Sequence, residues 1–215
     1  MISLIHPSYQ RPKQAYAVFQ AWVKASEQVD DIEWIIGLSD GDPYEEEYRQ
    51  LFEDEATIIV VPGRTMVAAT NAAAAESTGD PLILVSDDMF PPAKWDELLT
   101  AAFSWLAPGP AVLQVSDGIR SDILTIPIMN RAAYELLGYM YHPMYMSMYA
   151  DSDLRETCAK HGILHMATEI EFDHRHYTVG KSDQDMTYKH ENSRSAFEHG
   201  QRIFERRKKL GFPIL

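Results

Sequence analysis

The chain has 215 residues, 46% of them hydrophobic and 24% charged, which is the composition of an ordinary globular protein long enough to bury a sizeable core. Its formal net charge of −13 argues against a general nucleic-acid binder, because contact with phosphates requires a positive field. The same charge suits a protein that binds a cation or a partner with basic groups.

The acidic residues are concentrated in the first half of the chain. Residues 1–100 hold 18 acidic and 6 basic residues, residues 101–215 hold 14 and 13, and residues 194–215 have a net charge of +4. The single cysteine, Cys158, excludes an internal disulfide framework and fits a reducing compartment. Neither a signal-peptide pattern nor an apolar run of about 18 residues is present, so we expect a cytoplasmic protein without a membrane span.

Short apolar runs alternate with amphipathic ones through the first ninety residues, which indicates an α/β protein. The first helix is expected to begin near Pro12, since a proline at the first helical position loses no hydrogen bond. Strands are predicted at 2–6, 32–38, 57–61 and 82–85, and further helices at 45–52 and 66–77.

The second half of the chain predicts a looser arrangement. Helices are expected at 95–106, 131–137, 151–161 and 184–209, and strands at 111–115, 123–128 and 163–172. The segment 139–149 is rich in Tyr and Met and fits no clean period. Such side chains suit a loop that lines an acceptor site, and core packing or a dimer contact is the alternative. No internal repeat or linker divides the chain.

Polar side chains follow each of the first four predicted strands. In an open parallel sheet the carboxyl ends of the strands meet at one edge, where ligands bind. The alternative is that loops are polar in any protein. No G-x-G-x-x-G, G-x-x-x-x-G-K or G-x-S-x-G motif is present, which removes the usual support for a dehydrogenase, an NTPase or a serine hydrolase. The strand-end residues are Ser8 and Arg11, then Asp40, Arg64, and Asp87 with Asp88.

The adjacent carboxylates of Asp87 and Asp88 repel each other unless a cation or a proton neutralises them. Mg²⁺ and Mn²⁺ take such carboxylates together with substrate phosphates. The alternative is an N-cap pair before the following prolines. His174 and His176 point the same way if they lie in a strand, and one of them is then placed to complete the shell of an ion. Surface polarity is the alternative for this pair.

Taken in order, these residues resemble a GT-A-fold glycosyltransferase of the family 2 type. The segments 2–5 and 7–12 resemble its first strand and nucleotide loop, and Ser39-Asp40-Gly41 resembles the end of its second strand. The stretch from Asn71 through 79–80 to 82–88 resembles the approach to its D-x-D metal motif. The resemblance covers residues 2–176. It implies a Rossmann-like nucleotide-binding sheet flanked by helices, with an irregular acceptor-side C-terminal part.

The resemblance also implies roles for individual residues. It implies that Asp88, together with His174 or His176, binds the metal, Mn²⁺ or Mg²⁺. The segment 150–154 resembles the family's E-D-x-D-L element and implies that Asp151 is the catalytic base, with Asp153 as the second catalytic residue. The alternative is that both merely cap the helix that runs to His161. The implied donor is a nucleoside-diphosphate sugar such as a UDP-sugar. The residues implied to bind it are Pro7, Ser8, Arg11, Asp40, Arg64, Asn71 and Asp87.

The sequence departs from the family pattern at four positions. Ser86 stands where the first aspartate of D-x-D is usual, which leaves Asp88 as the metal ligand and Asp87 as a ribose or outer contact. Ser39 and Ala150 replace acidic residues, and Thr70 stands where a basic residue often precedes the asparagine. Arg64 is placed to supply that charge from the same loop.

The implied protein is a metal-dependent inverting glycosyltransferase with one domain, 1–215. Residues 1–90 form its nucleotide-sugar-binding half, 91–180 its acceptor and catalytic half, and 181–215 a helical extension. The segment 88–91 and the late histidines resemble short phage-encoded members, which would work in the host cytoplasm. The acceptor implied is a polysaccharide, a small molecule or a hydroxymethylated base in DNA, and an oligomer is compatible with the sequence.

The basic tail around Arg202 and 206–209 is expected to be a solvated helix end, with contact to an anionic acceptor as the alternative. Two other functions compete with glycosyl transfer. One is a nucleotidyltransferase acting on a sugar phosphate, although the loop 7–11 lacks the glycines usual there. The other is a non-catalytic module that binds nucleotide sugars.

Overall fold

The secondary structure comes from a computed structural model, which describes residues 1–120, 122–181, 185, 187–188 and 193–215. The strands are β1 (Ile2–Ser8), β2 (Ile32–Ser39), β3 (Thr57–Val61), β4 (Leu82–Leu84), β5 (Met89–Phe90), β6 (Val112–Ser116), β7 (Ile128–Met129), β8 (Leu164–Glu171) and β9 (Asp173–His174). The helices are α1 (Pro12–Ala25), α2 (Glu45–Phe52), α3 (Met66–Glu76), α4 (Trp95–Ser104), α5 (Arg131–Leu137), α6 (Ala150–Lys160) and α7 (Arg194–Lys209).

A mixed sheet forms the centre of the molecule, with the strand order β3-β2-β1-β4-β7-β6-β8. The strands β3, β2, β1 and β4 run parallel to one another. Strand β7 is antiparallel to both β4 and β6, and β6 pairs with β8 in parallel. Helices flank this sheet, so the predicted α/β class is confirmed. The strands that carry the predicted site residues, β1 and β4, are neighbours at its middle.

The hydrophobic core lies on both faces of the sheet. Leu4 and Ile36 belong to one buried cluster, which also holds Trp22 and Trp95, whereas the next residue in β1, Ile5, belongs to the other. Successive side chains of a strand point to opposite faces, so a strand covered on both sides must be apolar throughout. This explains why β1 and β2 are predominantly apolar on both faces.

The alanine-rich helix α3 packs closely against β2. A Cβ on Gly37 would lie 2.3 Å from the carbonyl oxygen of Ala69, so Gly37 accepts no side chain unless the helix moves. This contact fixes α3 beneath the strand ends and brings the loop before it, with Arg64, to the edge of the sheet.

Most predicted elements agree with the observed ones to within two residues, and three points differ. Pro7 and Ser8 extend β1 and are paired with β2, where a turn was predicted. The predicted strand 123–128 is wrong except for its last residue. The observed strand, Ile128–Met129, pairs with β4 and β6, and residues 123–127 are not part of a strand. The predicted helix 184–209 is observed from Arg194 onward, and part of its N-terminal stretch lies outside the described residues.

A two-residue pairing that the sequence did not indicate joins distant parts of the chain. Met89 of β5 pairs with His174 of β9, and Phe90 pairs with Asp173. The backbone N–H of Arg175 also donates to the carbonyl oxygen of Asp88 at 2.8 Å. These bonds place the late histidines beside the carboxylates that follow β4. No helix in the described part of the chain has the length and apolar character that a membrane span requires.

Candidate active site

A cavity of about 270 Å³ lies at the carboxyl ends of β1 and β4. We call it the donor cleft. Its walls also include Tyr9, Ser39 and Tyr188. Eight of the residues predicted for the site line it together, namely Pro7, Ser8, Arg11, Arg64, Asp87, Asp88, His174 and His176.

Asp87 is held by residues of the first strand and the loop after it. Its carboxylate accepts hydrogen bonds from the Ser8 hydroxyl at 2.9 and 3.1 Å, and its Oδ1 lies 2.9 Å from Nε2 of the fully buried His6. The Arg11 guanidinium lies 3.7 Å away. These contacts make Asp87 an anchor between β1 and β4. His6 was not predicted, because a lone histidine inside an apolar strand gives no functional signal.

Arg11 binds a carboxylate through two parallel hydrogen bonds. Its Nε and Nη2 donate to the two oxygens of Asp185, each at 2.7 Å, and the ring of Tyr188 lies 4.1 Å from the guanidinium. Burial opposes the charged form, but the hydrogen bond to Asp185 and the charge of Asp87 raise the pKa of Arg11 further. The geometry is that of a guanidinium able to hold a planar or tetrahedral anion.

Asp88 presents a charged carboxylate to the cleft. Its Oδ1 accepts from Ser86 at 2.7 Å, while its Oδ2 accepts from the Tyr188 hydroxyl at 2.5 Å and lies 3.3 Å from Nε2 of His174. Burial disfavours the ionised form, yet the contacts with His174, Ser86 and Tyr188 hold the pKa of Asp88 well below its usual range. Asp88 is therefore ionised throughout the neutral range.

His174 lies between two carboxylates. Its Nδ1 is 3.2 Å from Oδ2 of Asp117, opposite the contact of its Nε2 with Asp88. Burial lowers the pKa of His174, but the hydrogen bonds and charges of Asp117 and Asp88 outweigh burial and raise this pKa to about 9. Asp117 was not predicted as a site residue. It follows β6 directly, so the rule applied to the first four strand ends would have identified it.

The donor set at this point fits a hard divalent cation. A carboxylate and an imidazole face each other, and the other nitrogen of the imidazole is held by a second carboxylate, as is usual for histidine ligands. No cluster of three or more His, Cys, Asp or Glu suited to a metal is found in the parts of the chain that the structure describes. Asp88 and His174 would thus leave the remaining positions to ligand oxygens and water, as Mg²⁺ commonly requires.

His176 lines the same cleft but contacts different groups. Its ring lies 5.2 Å from that of His174, and its Nδ1 is 2.8 Å from the Thr178 hydroxyl. Burial and the charge of His174 lower its pKa. The strand ends at His174, so the predicted strand alternation of the two histidines does not apply. The distances favour His174 over His176 as the partner of Asp88.

Asp151 lines a smaller cavity of about 220 Å³ that adjoins the donor cleft. We call it the acceptor cavity. The two cavities share Met66 and Tyr141. Asp151 stands in the first turn of α6, its Oδ1 accepts from the backbone N–H of Ser152 at 2.7 Å, and burial raises its pKa. Asp151 therefore lies beside the cleft, and its role as a catalytic base stays a prediction.

Asp153, predicted as the second catalytic residue, has a different environment. It is fully buried and accepts from Arg207 Nε at 2.6 Å and from the Tyr145 hydroxyl at 2.9 Å. These bonds join α6 to α7 and to the Tyr- and Met-rich segment. We therefore assign Asp153 to positioning α6. The same contact corrects the expectation of a solvated tail for Arg207 alone, which is buried in an ion pair. The other basic residues of the tail are exposed, as expected, namely Arg202, Arg206, Lys208 and Lys209.

Asn71 and Asp40 do not line the donor cleft. The Asn71 side chain donates to the carbonyl oxygen of Tyr141 at 2.7 Å and accepts from the backbone N–H groups of Met140 and Tyr141. Its amide is thus fully engaged in holding the segment that carries Tyr141 into the cleft. Asp40 is exposed at the end of β2, one residue beyond Ser39, which does line the cleft.

No protein-family model matches the sequence, and no curated protein sequence is significantly similar to it. Solved structures are similar in fold. TarS 1–349 of S. aureus in complex with UDP matches with a TM-score of 0.61 and 13% identity over 80% of this chain and 59% of that chain. The mannosyltransferase PcManGT of Pyrobaculum calidifontis in complex with GDP-Man and Mn²⁺ matches with a TM-score of 0.63 and 16% identity, over 80% of this chain and 56% of that one.

A third structure covers more of the chain. Glucosyl-3-phosphoglycerate synthase of Mycobacterium tuberculosis, in complex with Mn²⁺, UDP and phosphoglyceric acid, matches with a TM-score of 0.62 and 14% identity over 91% of this chain and 75% of that chain. The chain spans little more than half the length of the TarS and mannosyltransferase chains. The predicted GT-A-type fold is confirmed, and at these identities the likeness concerns the fold.

Proposed function

We propose that this chain is a glycosyltransferase that moves a sugar from a nucleoside-diphosphate donor to an acceptor hydroxyl, with a divalent cation and with inversion at the anomeric carbon. One arrangement carries the proposal. Arg11, Asp88 and His174 converge at the carboxyl ends of β1 and β4 in a GT-A-type fold, and Asp151 lies in the cavity next to them.

The donor diphosphate is assigned to Arg11. In the structure this guanidinium already binds one anionic group, the Asp185 carboxylate, with the two-pronged geometry that phosphate oxygens also accept. Arg64 lines the same cleft and adds a second positive charge. Two neighbours in fold carry UDP and one carries GDP-Man, which supports a nucleoside diphosphate as the group to be bound.

The divalent cation is assigned to Asp88 and His174, with Asp117 orienting the imidazole. Mn²⁺ is present in two of the neighbouring structures, and the carboxylate and imidazole donors suit either Mn²⁺ or Mg²⁺. A bound cation supplies positive charge where the leaving diphosphate gathers negative charge. The cation would take the place of the proton on His174, because an imidazole with its pKa raised to about 9 must lose that proton before it binds a metal.

Asp151 is proposed as the catalytic base. The acceptor oxygen forms a bond to the anomeric carbon, the bond from that carbon to the diphosphate oxygen breaks, and the Asp151 carboxylate takes the acceptor proton. Attack from the face opposite the leaving group inverts the configuration. Burial raises the pKa of Asp151, which improves a carboxylate as a proton acceptor in a transition state.

The proposal is tested by incubating the protein with labelled UDP- and GDP-sugars and Mn²⁺ and following release or transfer of the sugar. Asp151→Asn is expected to lose about 10²–10⁴-fold in rate, the usual contribution of a general base, while its affinity for the nucleoside diphosphate stays unchanged. Glu156→Gln, a change of the same kind on an exposed position of α6, serves as the control and should retain activity. Equal rates in the two variants would contradict the assignment, and donor binding without any turnover would favour a non-catalytic module.

A further inference from the structure

A third cavity, of about 350 Å³, lies between the loop after β3 and helix α7. We call it the basic cavity. Two arginines and several hydroxyl groups line it, and no Asp or Glu occurs among its lining residues in the described part of the chain. This is unexpected in a chain with a net charge of −13. The side chains that matter here are Arg64, Ser147, Ser193, Ser195, His199 and Arg202.

No Asp or Glu among the described residues forms an ion pair with the two arginines of this cavity. Arg64 Nε is buried and has no hydrogen-bond partner among the described residues, and its guanidinium lies over the ring of Tyr9 at 4.1 Å. Arg202 is exposed on α7 and forms no ion pair with any residue that the structure describes. A buried donor left without a partner costs about 1–3 kcal/mol. Within the part of the chain that the structure describes, no carboxylate competes with an external anion for these two groups.

The three cavities meet at shared residues. Arg64 lines both the donor cleft and the basic cavity, while Ser147 lines both the basic cavity and the acceptor cavity. A molecule whose hydroxyl reaches Asp151 in the acceptor cavity therefore has room to extend past Ser147 into the basic cavity. The charge of the basic cavity then acts on the acceptor.

Helix α7 is held firmly against this junction. A Cβ on Gly200 would lie 2.2 Å from the carbonyl oxygen of Met148, so the helix approaches the loop before α6 as closely as two backbones allow. His199, which precedes Gly200, and Arg202, which follows it by two residues, line the basic cavity. The Ser193 hydroxyl accepts from the backbone N–H of Ala196 at 3.3 Å and fixes the start of the helix.

We propose that the basic cavity binds the phosphate group of the acceptor, and that the acceptor is a small phosphate ester whose hydroxyl faces Asp151. This inference rests on the proposed function. Arginine forks and hydroxyl donors together match the oxygens of a phosphate. A nucleic acid fits less well, because Arg207 is withdrawn from the tail into an ion pair with Asp153 and the chain as a whole is strongly acidic.

Calorimetric titration with inorganic phosphate tests the site on the full chain, with saturating UDP and Mn²⁺ present to fill the donor cleft. Arg202→Gln is expected to raise the Kd for phosphate about ten-fold, as loss of one charge-assisted contact does. Arg206→Gln removes the same charge from an exposed position of the same helix that does not line the cavity. It should change the Kd less than about two-fold. Absence of phosphate binding, or equal weakening in the two variants, would overturn the proposal.

Transfer assays extend the test to the acceptor. Glycerol 3-phosphate and glycerol form a matched pair of probes, and the phosphate ester is expected to be the better acceptor. Arg202→Gln should raise its KM about ten-fold and leave kcat nearly unchanged, since uniform binding is lost. Equal use of the two probes would contradict the proposal. A single-stranded oligonucleotide that displaces phosphate, with Arg206→Gln as damaging as Arg202→Gln, would overturn it in favour of nucleic acid.

Binding of UDP and GDP with Mn²⁺ is measured first, because it separates the two proposals. Absence of nucleotide binding would contradict the proposed function. Nucleotide binding and sugar release together with no phosphate binding would contradict only the assignment of the basic cavity.

Discussion

The Nε2 atom of His174 lies 3.3 Å from Oδ2 of Asp88, although the two residues come from distant parts of the chain. The short pairing of β5 with β9 produces this proximity, since Met89 is aligned with His174. Asp117 holds the opposite side of the imidazole. The imidazole of His174 is thus held between two carboxylates at the end of the sheet, and the proposed metal site depends on this arrangement.

Asp117 should act through His174. Because a histidine ligand depends on its outer carboxylate for orientation and basicity, Asp117→Asn is expected to weaken Mn²⁺ binding about 10–100-fold. Calorimetry with Mn²⁺ and UDP measures this. The matched control is Asp122→Asn, whose carboxylate is exposed in the same loop and pairs with Arg120. Loss of affinity in the control as large as in Asp117→Asn would refute a specific role for Asp117.

The buried pair of Asp153 and Arg207 should stabilise the fold rather than take part in the reaction. Arg207→Met leaves an unpaired buried carboxylate and is expected to lower the free energy of unfolding by about 3–5 kcal/mol, as measured by urea denaturation. Lys208→Met, at an exposed position next to it, should have little effect. The double variant Asp153→Leu with Arg207→Met should regain most of the loss, because no charge is then left unpaired. A single variant as stable as the parent protein would show that the pair is not structural.

His142 should make the protein less stable in mild acid. Its Nδ1 accepts from the backbone N–H of Met144 at 3.3 Å, and its Nε2 is buried without a partner among the described residues. Burial, with the charge of Arg207, lowers its pKa to about 4. Below about pH 6.5, His142 is protonated in the unfolded chain but stays neutral in the folded chain. The free energy of unfolding therefore falls as the pH drops from about 6.5 towards 4.

The measurement is the free energy of unfolding of the parent protein and of His142→Phe, at pH 6.5 and pH 5. The parent protein should lose about 1.5 kcal/mol more than the variant between these pH values. Comparison of the two proteins cancels the contributions of the other titrating groups. Parallel losses would mean that His142 takes up its proton in the folded state.

The sequence was informative where a local pattern determined the structure. Apolar runs with polar ends located β1 to β4, and parallel pairing alone brings Ser8, Arg11, Arg64 and Asp88 to one edge. The helices followed from their periodicity and from markers such as Pro12. The pairing of β5 with β9 has only two residues on each side, which is too short to create a period. The approach of His174 to Asp88 was therefore predicted from the chemistry of a metal site and from the family resemblance, and not from a predicted strand pairing.

The contacts that the sequence did not indicate involve residues whose partners lie far away in the chain. Asn71 was predicted to bind the donor, but its amide is engaged by the backbone of Tyr141. Asp153 was predicted to be catalytic, and Arg207 from the end of the chain holds it. A carboxylate in a helical first turn has the same local pattern whether it faces a cavity or a buried guanidinium. Only the packing of α6 against α7 separates Asp151 from Asp153.

The most direct test of the account is the effect of Mn²⁺ on the binding of UDP and GDP, measured by calorimetry for the parent protein and for Asp88→Asn. If Asp88 holds the cation, Mn²⁺ should tighten the binding of at least one of the two nucleotides by about ten-fold or more, as addition of a charge-assisted contact does. Under this assignment Asp88→Asn abolishes the gain while the variant remains folded. Nucleotide binding that is indifferent to Mn²⁺ in the parent protein, or equally strengthened by Mn²⁺ in the variant, would contradict it.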